Sequence, residues 1–191
     1  STDMVYAGTF EIHNAAPERL DLGALPLQSL AAQVRLAQQA ITVSGLDARV
    51  LGDGRLQGTL AWAADEDATQ LGRLQADLQL SDVQIQALDA RLPPAQIRGQ
   101  IEAGASEQTQ TAKLDLQIDG ARVKADGQLS WTPDSPPQFA AEGQIEHFDP
   151  ARLVAEAPES DINLAFKLSG VAAEPLTLAA GVIARLSVSP M

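Results

Sequence analysis

The chain has 191 residues, of which 45% are hydrophobic and only 4% aromatic, and its 13 basic and 25 acidic side chains give a formal net charge of −12. Without a lysine or arginine cluster it has no footprint for nucleic-acid phosphates or for anionic lipid head groups, so binding to either is excluded as a lead. The absence of cysteine removes disulfides, thiolate metal sites and thiol catalysis, and no run approaches the roughly 20 apolar residues of a membrane-spanning helix.

Residues 27 to 38, "LQSLAAQVRLAQ", fit a helix through Leu27, Leu30, Ala31 and Val34, or a strand through Leu30, Ala32, Val34 and Leu36. A strand is expected, because every other segment of this length has period two. Gly52, Asp53 and Gly54 mark a turn between a strand through Ala48 and Val50 and another through Leu56, Leu60 and Trp62. "RLQADLQL" places Leu74, Ala76, Leu78 and Leu80 on one face, and "AQIRGQIEA" places Ile97 and Ile101 around Gly99. "AKLDLQID" puts Leu114, Leu116 and Ile118 on one face, and Asp119-Gly120 supplies a hairpin turn. "RVKADGQLSW" follows with Val123, Ala125, Leu129 and Trp131 opposite Lys124, Asp126, Gln128 and Ser130. The best helix signal is "FDPARLVAE", with Asp149 as cap and Pro150 at the first position. "DINLAFKL" closes the pattern with Ile162, Leu164, Phe166 and Leu168.

The pattern repeats. "RLQGTLAW" and the end of "RVKADGQLSW" share a G-x-L-x-W cadence, and their tryptophans, the only two in the chain, lie 69 residues apart. "FEIHNAAPERL" aligns with "GQIEHFDPARL", setting Ile12 on Ile145, Pro17 on Pro150 and Leu20 on Leu153. The expected organisation is one β-rich segment of a larger protein with approximate repeat units 5–62, 72–131 and 138–191. An apolar sheet face must be covered by a second sheet, by closure, or by something outside the chain. A β-sandwich is the ordinary solution. The expectation drawn instead is all-β, an elongated, curled antiparallel sheet with an open or half-open hydrophobic groove and only short helices, because the core is poor in aromatics and the units look stackable.

These residues resemble a known family. "GTFEIHNAAPERLDLGALPLQSL", "GLDARVLGDGRLQGTLAW" and "FDPARL…DINLAFKLSG" are similar to repeats of TamB, the translocation and assembly module subunit, within the AsmA-like superfamily. The resemblance implies the periplasmic portion of a single-pass, inner-membrane-anchored protein of a Gram-negative bacterium, the anchor lying outside this segment. It implies a hydrophobic β-groove that carries phospholipid between inner and outer membranes and supports outer-membrane protein assembly. A TamA-like outer-membrane partner would engage regions outside this segment. The alternative is a non-enzymatic chaperone or scaffold that receives β-strands of outer-membrane protein clients.

The groove residues expected from the alternation, as contacts for phospholipid or another acyl-chain ligand, are Leu60, Trp62, Leu78, Leu80, Ile97 and Ile101 in the first half. In the second half they are Leu114, Leu116, Ile118, Val123, Leu129 and Trp131, then Ile162, Leu164, Phe166 and Leu168. The tryptophans fit a strand-end core position and a groove-rim position equally well. No enzyme, cofactor, metal or nucleic-acid partner is expected. His13 and His147 have no shared acidic motif and read as surface or turn residues. Asp65, Glu66 and Asp67 lack the spacing and glycine of a calcium loop and read as a solvated loop. Gly52, Gly54 and Gly58 precede a strand rather than a helix N-terminus, so turn and close-packing roles are expected in place of a phosphate cradle.

Overall fold

Each alternating segment becomes a strand, and each strand pairs with the next. The computed structural model describes residues 5–64, 72–106, 108–132, 135–154, 156–173 and 177–189, with side chains through Val171. The strands are β1 (Tyr6–His13), β2 (Leu27–Ala37), β3 (Ala40–Val50), β4 (Arg55–Ala63), β5 (Arg73–Gln84) and β6 (Gln96–Ser106). They continue as β7 (Thr109–Ile118), β8 (Ala121–Thr132), β9 (Ser135–Phe148), β10 (Asp161–Ala173) and β11 (Thr177–Ser189). All eleven form one antiparallel sheet in sequence order, and it does not close into a barrel. Residues 27–37 are a strand, as the period predicts.

The register aligns the apolar faces. Leu114 pairs with Ile101 and Ala125; Leu116 pairs with Gly99 and Val123; Ile118 pairs with Ile97 and Ala121. The same face continues through Val123–Ile145 and Ile145–Leu164 on one side, and through Ile101–Leu78 and Ala76–Leu60 on the other. The sheet is curled and open, and the side chains of this face are mostly half-buried, whereas the alternate positions are mostly exposed. No side chain among the described residues is below 2% exposed, so no second layer covers the face and a sandwich is not formed.

Strict alternation alone would put Val83 and Phe148 on the polar face. Bulges prevent this. The β5–β6 register shifts between Leu80 and Val83, and the β9–β10 register shifts at Ile162 to Leu164. Asp82 and His147 take positive φ there, 51° and 56°. A similar shift between Val43 and Leu46 contains Gly45 at φ 58°. Each extra residue restores the apolar parity and adds local twist.

One rim of the sheet carries the longer connections: a 3₁₀ turn at Leu20–Leu22, the single α-helical turn α1 (Ile85–Leu88), and a 3₁₀ turn at Pro150–Arg152. They recur once every four strands. The helix expected in "FDPARLVAE" is reduced to that last turn, with Asp149 accepting from the Ala151 N–H at 3.1 Å and Pro150 at its start. An isolated turn on a rim has no apolar partner face on which to propagate. The hairpin at Asp119-Gly120 forms as expected, with φ 47° and 94°, the positive values a two-residue hairpin turn requires. β9 starts at Ser135 and includes Pro136 and Pro137. They precede Gln138, where the β9–β10 ladder begins, so their missing N–H groups break no bond to β10.

This rim is tied together from turn to turn. Asp21 accepts from the Ala90 N–H at 3.1 Å, Asp119 accepts from the Gln96 N–H at 2.9 Å, and Arg152 donates to the Asp119 carbonyl at 2.5 Å. Asp89 is buried there and is held by the Arg91 guanidinium and the Arg91 N–H, which lower its carboxyl from 3.8 to about 2. A carboxyl depressed in the folded state contributes stability at neutral pH and loses it as pH falls towards the folded value. Acidification from about pH 4 to about pH 2 should therefore loosen the α1 rim. Amide exchange at residues 85–95 should report it, and Asp89→Asn should remove this part of the acid response while loosening the rim at neutral pH.

Candidate functional site

The candidate site is the apolar face. By register, and for Trp131 by alternation from Leu129, all sixteen expected groove residues lie on it, on strands β4 to β10. Leu60 and Trp62 are on β4, Leu78 and Leu80 on β5, and Ile97 and Ile101 on β6. Leu114, Leu116 and Ile118 are on β7, and Val123, Leu129 and Trp131 on β8. Ile162, Leu164, Phe166 and Leu168 are on β10. The reading of the sequence omitted the floor contributed by β2, β3 and β9: Val34, Val43, Phe139 and Ile145 complete it.

The two tryptophans separate. Both end their strands at the rim opposite α1, but Trp62 is 43% exposed and Trp131 only 7%. The indole of Trp62 lies over Gly72, where a Cβ would stand 2.5 Å from Nε1. Trp131 takes the core role and Trp62 the rim role.

One amide interrupts the hydrocarbon. Gln110 sits on the apolar face of β7, opposite Ala105 and Leu129. The β5–β6 ladder ends at Ala76–Ala103, leaving the Leu74 backbone without a β6 partner. Gln110 fills that place: Oε1 accepts from the Leu74 N–H at 3.0 Å, and Nε2 donates to the carbonyls of Leu74 at 2.7 Å and Gly104 at 2.8 Å. The side chain stands in for a peptide group where β5 and β6 splay. Gln110→Leu should leave the Leu74 backbone to water, at a cost of about 1 kcal/mol, because Leu74 is exposed and water replaces part of the bonding. Amide exchange should rise at Leu74 while residues 114–118 stay protected; unchanged protection at Leu74 would contradict the suture.

The opposite face is charged and internally paired. Arg55 holds Asp47, Arg122 holds Asp115 with Nη2–Oδ2 at 2.7 Å, Lys167 meets Glu142 at 3.5 Å, and Lys113 meets Asp126 at 3.9 Å. The arginines lower the carboxyls of Asp47 and Asp115 below their ordinary value, chiefly through these hydrogen bonds. A hollow of about 520 Å³ on this face is lined by Gln79, Arg98, Asp115, Gln117 and Arg122 among others. Arg98 donates there to Gln117 at 2.6 Å, so its polar groups already serve one another.

Among the described residues no group of side chains could hold a metal ion. His13 bonds Glu11 and His147 bonds Asp161, both histidines are exposed, and seven strands separate β1 from β9. Asp65, Glu66 and Asp67 lie outside the described residues. Gly52 and Gly54 form a turn at Leu51–Asp53 packed against Gln84, Ala87 and Val83, and Gly58 lies against the Asp77 carbonyl. These are close-packing roles. Compared with known protein families, curated proteins and solved structures, the chain matches none.

Proposed function

We propose that this chain is a non-enzymatic lipid-conduit segment whose curled sheet holds the acyl chains of phospholipid. The observation that carries the reading is an apolar face in continuous register across the described strands with no protein layer over it. Ten strands, β1 to β10, at a spacing of about 4.8 Å extend this face over about 43 Å, longer than the roughly 30 Å hydrocarbon core of a bilayer. Contiguous apolar surface of that extent marks an interaction site.

Magnitudes favour a two-chain lipid. A buried methylene contributes about 0.8 kcal/mol. An open groove shields a chain on about one side, so about ten methylenes yield about 4 kcal/mol, a millimolar affinity, and two chains about 8 kcal/mol, a micromolar one. With no basic cluster to hold a head group, the hydrocarbon supplies the binding and the head group projects into water. The resemblance to TamB repeats adds the setting: periplasmic, between inner and outer membranes, with a TamA-like partner engaged elsewhere. Gentle purification followed by native mass spectrometry should find phospholipid on the chain. A lipid-free chain that also takes up none from vesicles would refute the reading.

One observation favours a second reading. β1 is exposed along all its residues and presents a sheet edge with no strand beyond it among the described residues. Such an edge can accept a strand by augmentation, as a chaperone of outer-membrane protein clients would require. Photo-crosslinkers at Ala7 and Thr9 should then trap peptide rather than lipid.

A further inference from the structure

One register line of the groove differs from the rest. Along the rim opposite α1, Tyr6 pairs with Leu36, Leu36 with Ile41, Ile41 with Trp62, and Trp62 with Leu74. All five are large and apolar, and all are 40–63% exposed. Beyond β5 the same line continues through Gln110, Leu129 and Phe139, which are half-buried. The row thus ends at the amide that sutures β5 to β6. From the lipid-groove reading together with this row, we infer that β1–β5 hold one acyl chain lying across the strands along this rim, against Trp62.

Three features select an alkyl chain as the occupant. Within the row the strands are paired with one another and the free edge lies outside it along β1, so a peptide lying across the strands finds no ladder to join. Leu36, Ile41 and Leu74 offer no polar side-chain group, which suits a ligand that needs none. The row spans five strands, about 19 Å at a spacing of about 4.8 Å, slightly more than the roughly 15 Å of half a hydrocarbon core. The row is fixed at both ends of Trp62: Gly72 seats the indole, and Gln110 holds both backbone groups of Leu74.

The two tryptophans make the test direct. The wild-type chain and Trp62→Phe are loaded with phosphatidylcholine brominated in mid-chain or with the unbrominated lipid. Bound lipid is counted by phosphorus and emission is compared between the two loads. Because Trp62 is exposed, its replacement leaves the fold intact, which circular dichroism checks. The brominated lipid should quench and blue-shift the wild-type emission, and this loss should vanish in Trp62→Phe, whose remaining Trp131 is buried. Bound lipid with no quenching, or with equal quenching in Trp62→Phe, overturns the rim site and leaves the groove reading standing. No bound phosphorus on either chain overturns both. A blue shift that follows protein concentration without lipid places a second copy on the row and overturns the rim site.

Discussion

Leu116→Glu should leave the sheet folded and strip it of lipid. Leu116 lies on the groove floor between Gly99 and Val123, and it is half-buried rather than enclosed. A carboxylate there can keep contact with water while the groove is empty, so far-UV circular dichroism and the thermal midpoint should change little. Once hydrocarbon fills the groove the same carboxylate must be desolvated without a partner, which costs several kcal/mol. Lipid retention should fall on the order of a hundredfold or more. The comparison is Lys113→Gln, three residues away on the charged face, which removes only an exposed ion pair worth about 0–1 kcal/mol. It should retain lipid. A Leu116→Glu chain that unfolds would indicate a packed interior, and one that stays folded and fully loaded would remove this part of the floor from the lipid path.

How much of this was legible in the sequence follows from which signals are local. Period two is local, and it delivered the strands, the shared apolar face and the Asp119-Gly120 hairpin. A bulge is not local: nothing in "LSDVQ" or "IEHFD" announces that Asp82 or His147 will sit at positive φ, yet those residues decide that Val83 and Phe148 face inward. Capping is local too, and Asp149 does cap, but helix length depends on an apolar surface to pack against, and the rim supplies none. Gln110 reads as one polar residue near a turn; its role depends on β5 and β6 diverging, a feature of strand pairing. The two tryptophans carry one cadence and reach different burial, because exposure depends on neighbouring strands rather than on the motif.

The glycines of the apolar face diverge in the same way, and they give the largest expected effect on stability. Gly58 and Gly99 take φ of 148° and 143°, and a Cβ at either would stand 1.9 Å from the Asp77 carbonyl oxygen or 2.1 Å from that of Asp115. Both obstacles are backbone on the neighbouring strand, so no rotamer change relieves them. The strands approach closely at these points and leave no room for a side chain. Gly99→Val should therefore cost about 3 kcal/mol or more, since a strained backbone region alone costs about 1–3 kcal/mol and the clash adds to it. Gly58→Val should behave alike. Gly127, the matching glycine of the second cadence, has negative or extended φ and no atom nearer than 3.9 Å to an added Cβ. Gly127→Ala should be neutral, or stabilising by about 0.4–1 kcal/mol through the unfolded chain. Urea denaturation of the three variants decides the matter. If Gly99→Val matched Gly127→Ala, the close approach between β6 and β7 would not be what requires glycine there.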